Sequence, residues 1–98
     1  MQEPLSLPSE LTIYSVGVWA PRLRAHLAAT TDEGSLDGLR LEAAAVEEVD
    51  AAGVQLLLAL ANTLAHEQRV LQLVAPSATL TRACAALGAS ALLAGGKS

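Results

Sequence analysis

The sequence predicts a small α/β domain, and three observations carry that prediction. Short apolar runs (LTIY, LRLEA and VLQLV) alternate with longer stretches of helical periodicity. Turn and capping residues stand between them: Ser15, Gly34, Gly38, Asp50, Pro76 and Ser77. The length, 98 residues, suits one domain with one core.

Residues 1–10 read as a polar lead-in in which Leu5 and Leu7 alternate with polar neighbours, the pattern of a short strand that Pro8 interrupts. Leu11–Tyr14 is a stronger strand, because its β-branched and aromatic residues favour extended backbone. Ser15 is placed as a helix N-cap, and Trp19, Leu23 and Leu27 recur every fourth residue along a helix ending near Ala29. Pro is tolerated in a first turn and clashes deeper inside, and Gly17 is a poor helix former. Pro21 therefore leaves two starts open, directly after Ser15 or near Val18 after an irregular turn. Thr30–Gly38 is a polar loop.

Leu39, Leu41 and Ala43 alternate with Arg40, Glu42 and Ala44, a strand with one apolar face whose buried path continues through Val46 or Val49. Asp50 stands directly before a long helical run, the position of an N-cap, and the helix spans Ala51 to about Glu67. Along it Val54, Leu57, Leu58, Ala61, Leu64 and Ala65 form a core-facing stripe, with Gln55, Asn62 and His66 on the wet side. Leu56 and Leu60 fall between; either they pack beneath neighbouring elements or they border a binding surface. Val70–Val74 is an apolar strand ended by Pro76. Ser77 caps a last helix carrying Leu80, Cys84 and Leu87, and Gly88 is its C-terminal stop. Residues 89–98 taper into a frayed, Gly-rich end, with 94–98 as a flexible tail. Strand and helix alternation of this kind requires at least one parallel pair joined by a helical crossover.

Composition narrows the function. Six basic residues stand against ten acidic ones and are scattered, so neither nucleic acid nor an anionic membrane is an expected partner. No apolar run approaches the ~20 residues that span a bilayer. The start MQEPLSLPSE lacks a basic flank and an apolar centre, which predicts no secretory signal. The single cysteine, Cys84, allows no internal disulfide, in keeping with a cytoplasmic protein. There is no nucleophile–base–acid set, so no enzyme is expected, and no phosphate-binding Gly loop, so no nucleotide cofactor is expected. Glu47, Glu48 and Asp50 are too few for a metal site, His26 and His66 have no metal-site spacing, and Cys84 reads as a small buried hydrophobe.

Taken in order, LTIYS, the strand LRLEA, an acidic turn ending in Asp50, the segment DAAGVQLLLAL (Asp50–Leu60), the strand VLQLVAPS and a helix ending in Leu87–Gly88 resemble the STAS domain over residues 11–93. The resemblance implies a mixed sheet of four to five strands with helices mainly on one face. It also implies a non-catalytic protein-binding role. In the branch of bacterial anti-sigma factor antagonists, a serine or threonine after the Asp is phosphorylated by a partner kinase that is itself an anti-sigma factor, and the unphosphorylated form docks on it. In another branch the domain grips the ATPase of a lipid-transport ABC complex. In both, the surface around the start of the second long helix meets the partner.

This chain departs from the pattern at that position. Where the family commonly reads D-S/T-S/A-G-L, it has Asp50, Ala51, Ala52, Gly53 and Val54. No hydroxyl is present to take the roughly −1.5 to −2 charge of a phosphate. Ser77, Thr79 and Thr81 are the hydroxyls left for a displaced switch. The expected partner surface is Glu47, Glu48, Asp50, Ala51, Ala52, Gly53 and Val54, with Leu56 and Leu60 as its apolar border. The partner's identity and the formation of a homodimer are left open by the sequence.

Overall fold

Alternating leucines set the sheet. In the computed structural model, which describes residues 5–32 and 39–94, β3 (Leu39–Glu42) lies between β1 (Leu5–Ser6) and β5 (Leu71–Val74). Leu41 pairs with Leu5 and Leu73, and Leu39 with Leu71. Successive side chains of a strand point to opposite faces. One face of this sheet is therefore leucine, buried beneath the helices. The other carries Ser6, Arg40, Glu42 and Gln72, all exposed. The helices accordingly cover one face, as the family resemblance implied. A second ladder joins β2 (Glu10–Leu11) to β4 (Glu48–Val49). Among the described residues the five strands reach the upper expected number, but where one mixed sheet was expected they form two sheets, of three and two strands, with every ladder parallel.

Three helices complete the described residues: α1 (Val16–Asp32), α2 (Ala51–His66) and α3 (Ala78–Ala86), followed by a 3₁₀ segment, Ser90–Ala94. The core they share with the sheet is almost wholly aliphatic, centred on Leu11, Leu23, Leu41, Leu57, Leu64 and Leu80. Each such side chain contributes about 1.5–3 kcal/mol on burial. Trp19 packs at the core's edge, with the Arg22 guanidinium 5.2 Å from its ring centroid.

Several elements differ from the sequence reading. The strand expected over Leu11–Tyr14 stops at Leu11, and residues 12–15 form a turn. Its cause is local hydroxyl chemistry. The Thr12 N–H donates to Ser15 Oγ (3.0 Å), the Ser15 hydroxyl donates to Glu10 O (2.9 Å), and the Ser15 N–H donates to Thr12 O (2.9 Å). Such bonds compete with a strand ladder. Ser15 does stand at the start of α1, but its hydroxyl turns back into this turn instead of capping the helix. Of the two starts left open, α1 takes the earlier, at Val16, and contains Pro21. Gly17 and Pro21 are both exposed, so the hydrogen bond that Pro21 cannot donate is lost where water replaces it.

The short strand expected within residues 1–10 is present as β1, ending before Pro8; the start of β2 at Glu10 was not expected, and Leu7 is buried. α1 runs to Asp32, three residues beyond the expected end; residues 33–38 of the expected loop lie outside the described residues. Val70 is exposed and β5 begins one residue later. Leu87, expected on the apolar stripe of α3, is exposed at its C-cap. The segment expected to fray from residue 89 is packed instead, because Ala89 and Leu92 are buried against α3 and β5. Residues 95–98 of the expected tail lie outside the described residues.

Candidate functional site

The site is built where β2 and β4 end. Parallel pairing sets Glu10 beside Glu48 and Leu11 beside Val49. Both strands then hand over to helices, so the turn before α1 and the start of α2 are adjacent. The Glu47 and Glu48 amides donate to Ser9 O at 2.7 and 2.9 Å, fixing the acidic turn against β2.

Asp50 joins the two helix starts. Its backbone is extended, and its Oδ1 accepts from the Gly53 N–H at 3.1 Å, the expected N-cap. Its Oδ2 accepts from the Ile13 N–H at 3.0 Å, across 37 residues of sequence. The Ile13 N–H holds the Asp50 carboxyl below its ordinary value of 3.8; partial burial opposes this, and the amides of Gly53 and Ala52 add to it. Both oxygens are thus engaged within the chain, and Asp50 acts on the surface by positioning two segments.

The nine residues expected at the partner surface divide by exposure. Glu47, Glu48 and Ala51 are exposed, and Asp50, Ala52 and Leu56 are partly buried. Gly53, Val54 and Leu60 are buried. Gly53 is fixed by close approach: a Cβ there would overlap the Leu11 carbonyl, a backbone group that no rotamer change moves aside. Of the two readings open for Leu56 and Leu60, Leu60 is core at 4 % exposure. Both residues also line a shallow groove between α1 and α2, with Arg24, Leu27, Ala59 and Thr63. Ala65, expected in the core, is exposed.

The hydroxyls considered for a displaced switch sit at α3, which packs against β4. Ser77 Oγ accepts from the Leu80 N–H at 3.1 Å and is occupied as a cap, Thr79 is partly buried, and Thr81 is exposed. Cys84 is buried, and burial pushes its thiol up, the reverse of a reactive thiolate. Among the described residues no three His, Cys, Asp or Glu side chains gather closely enough to hold a metal ion, and no helix is long and apolar enough to cross a membrane.

The sequence reading missed two features. Ile13 and Tyr14 are 61 % and 88 % exposed, although their types had marked them as strand. The spacing of Thr12 and Ser15 was the available signal for a turn. Arg69 is buried at 6 % exposure, 3.2 Å from Glu67, where its type predicts surface.

No curated protein and no solved structure matches the chain. A family model described as Mlab, STAS domain, matches residues 3–94, nearly the whole chain. Parallel strands joined by helical crossovers, covered on one face, agree with that match, and the chain belongs to the STAS domain family.

Proposed function

We propose that this chain is a non-catalytic regulatory module that docks on a signalling protein in the cytoplasm through the start of α2. The partner is of the anti-sigma factor or kinase-like class, and binding is not gated by phosphate at the family position. One observation carries the reading: Ala51 is exposed at a helix start that Asp50 holds against the neighbouring turn, at the position where related domains carry their phosphoacceptor. A methyl group there leaves a low, flat entry for another backbone and nothing to phosphorylate. The exposed carboxylates of Glu47 and Glu48 beside it favour a basic partner and orient its approach.

The test is Ala51→Glu. A carboxylate is tolerated in the first turn of a helix, so circular dichroism should show an unchanged fold. Affinity for the partner recovered from the native host should fall by roughly tenfold or more. A folded variant that binds as tightly as wild type removes the docking surface from the α2 start. Recovery of a transport ATPase as the partner would assign the chain to the other branch of its family. Phosphate at high occupancy on Thr81 would replace ungated binding by a displaced switch.

A further inference from the structure

The turn before α1 buries Thr12 but leaves its next two residues in solvent. Ile13 and Tyr14 project from it, and Val18, one helical turn beyond Tyr14, is 56 % exposed. Isolated apolar residues on a surface are ordinary; here two are adjacent on one turn with a third in the first turn of the helix that follows, and the turn is held by a set of hydrogen bonds. The Ile13 N–H is bound by Asp50 Oδ2 (3.0 Å), the Tyr14 N–H by Thr12 Oγ1 (3.2 Å), the Thr12 N–H by Ser15 Oγ (3.0 Å), and the Thr12 hydroxyl by Glu10 Oε2 (2.6 Å).

We infer that Ile13 and Tyr14, fixed in place by Asp50, are the apolar anchor of the docking surface, and that they fit a protein partner with an apolar pocket rimmed by lysine or arginine. The inference rests on the docking function proposed above and names the chemistry of its partner. Preorganisation supports the anchor, since a turn already held by this hydrogen-bond network loses little freedom on binding. Tyrosine is among the residue types that dominate interface energetics. Charge supports the basic rim. The Glu10 carboxylate is bonded into the turn itself, Glu48 pairs with Glu10, and Glu47 is next in line. Arg22, the first cation along α1, lies over Trp19. A second copy of this chain would bring the same carboxylates face to face, and an anionic lipid surface would be repelled by them.

The division of labour at Asp50 is specific. A carboxylate supplies one oxygen to Gly53 and another to Ile13; an asparagine has a single acceptor oxygen and holds only one of the two amides.

The experiment places a benzoylphenylalanine photocrosslinker at Tyr14 of the full chain, and in a control at Gln72 on the open sheet face, in cells of the native host. The protein captured is purified and titrated calorimetrically with wild type, Tyr14→Ala, Asp50→Asn and Ala51→Glu at two salt concentrations. We expect capture at 14 and not at 72, and affinity that falls with salt. Tyr14→Ala should weaken binding roughly tenfold or more. Asp50→Asn should weaken it less, with faster hydrogen exchange at the Ile13 amide. Capture at both positions, at neither, or affinity indifferent to salt overturns the inference. Should Tyr14→Ala bind like wild type while Ala51→Glu does not, the anchor is wrong and the docking function stands. Should both bind like wild type, the docking function itself fails.

Discussion

α2 and α3 start on the same plan. Each has a side-chain cap three residues before a buried position: Asp50 Oδ1 takes the Gly53 N–H and Ser77 Oγ takes the Leu80 N–H, both at 3.1 Å. The buried position is then used in opposite ways. Leu80 is fully buried and anchors α3 by filling the core. Gly53 has no side chain, and α2 is anchored because its backbone lies directly against the Leu11 carbonyl. The caps differ as well. The serine is spent on its own helix, whereas the second oxygen of Asp50 reaches the Ile13 amide of another element. One helix start is scaffold. The other is a junction of two segments, with exposed Ala51 on one side and exposed Ile13 and Tyr14 on the other.

The largest test of this contrast is Gly53→Ala. In most helices it would add stability; here the new methyl meets backbone, and α2 must separate from β2. A loss of about 3 kcal/mol or more in urea unfolding is expected, the upper end for overpacking because the clash is with backbone. A neutral result would mean that α2 and β2 are not in contact. Leu80→Ala at the matching position should cost about 2–4 kcal/mol through an unfilled cavity. It should leave the Ile13 amide as protected from exchange as in wild type. Ser77→Ala removes only a cap and should cost about 1 kcal/mol, independent of pH.

The smallest effect separates the two caps by acid. A carboxyl whose folded pKa lies below its unfolded one stabilises the fold above the unfolded value and loses that contribution as pH falls through the folded one. The advantage of wild type over Asp50→Asn should therefore be constant near neutral pH and shrink as pH drops below the ordinary value of 3.8. Slow exchange of the Ile13 amide should disappear over the same range. A difference that persists unchanged in acid would show that the carboxylate charge contributes nothing to the junction.

Residues whose meaning is local were legible. Asp50 before an apolar helical run, Ser77 before another, and Gly88 at a helix end each describe their own few residues, and each appears where expected. Gly88 has φ 72°, and the Gly88 and Ala89 amides close the end of α3 on Ala85 O and Cys84 O. α2 ends in the same geometry without glycine. Gln68 adopts φ 59°, and the Gln68 and Arg69 amides return to Ala65 O and Leu64 O. The sequence places that stop near Glu67, as observed, but nothing in Glu67–Gln68–Arg69 announces the left-handed turn that makes it. Leu60, left open between core and surface, is core, and Ala65, expected in the core, is exposed, for a related reason: helical periodicity defines a face, and only the neighbouring helix decides how far round that face is covered.

By itself, the amino-acid sequence determined the alternation of strands and helices, the caps of α2 and α3, the aliphatic core and the missing hydroxyl at Ala51. These follow from periodicity, capping chemistry and residue type, which act over a few residues and are written in consecutive letters. Tertiary structure alone decided that Gly53 is required by the Leu11 carbonyl and that Asp50 uses both its oxygens. Each of these depends on β2 and β4 lying side by side, 38 residues apart in register. A contact between distant segments is set by the packing of the whole core, and no single stretch of the chain carries it.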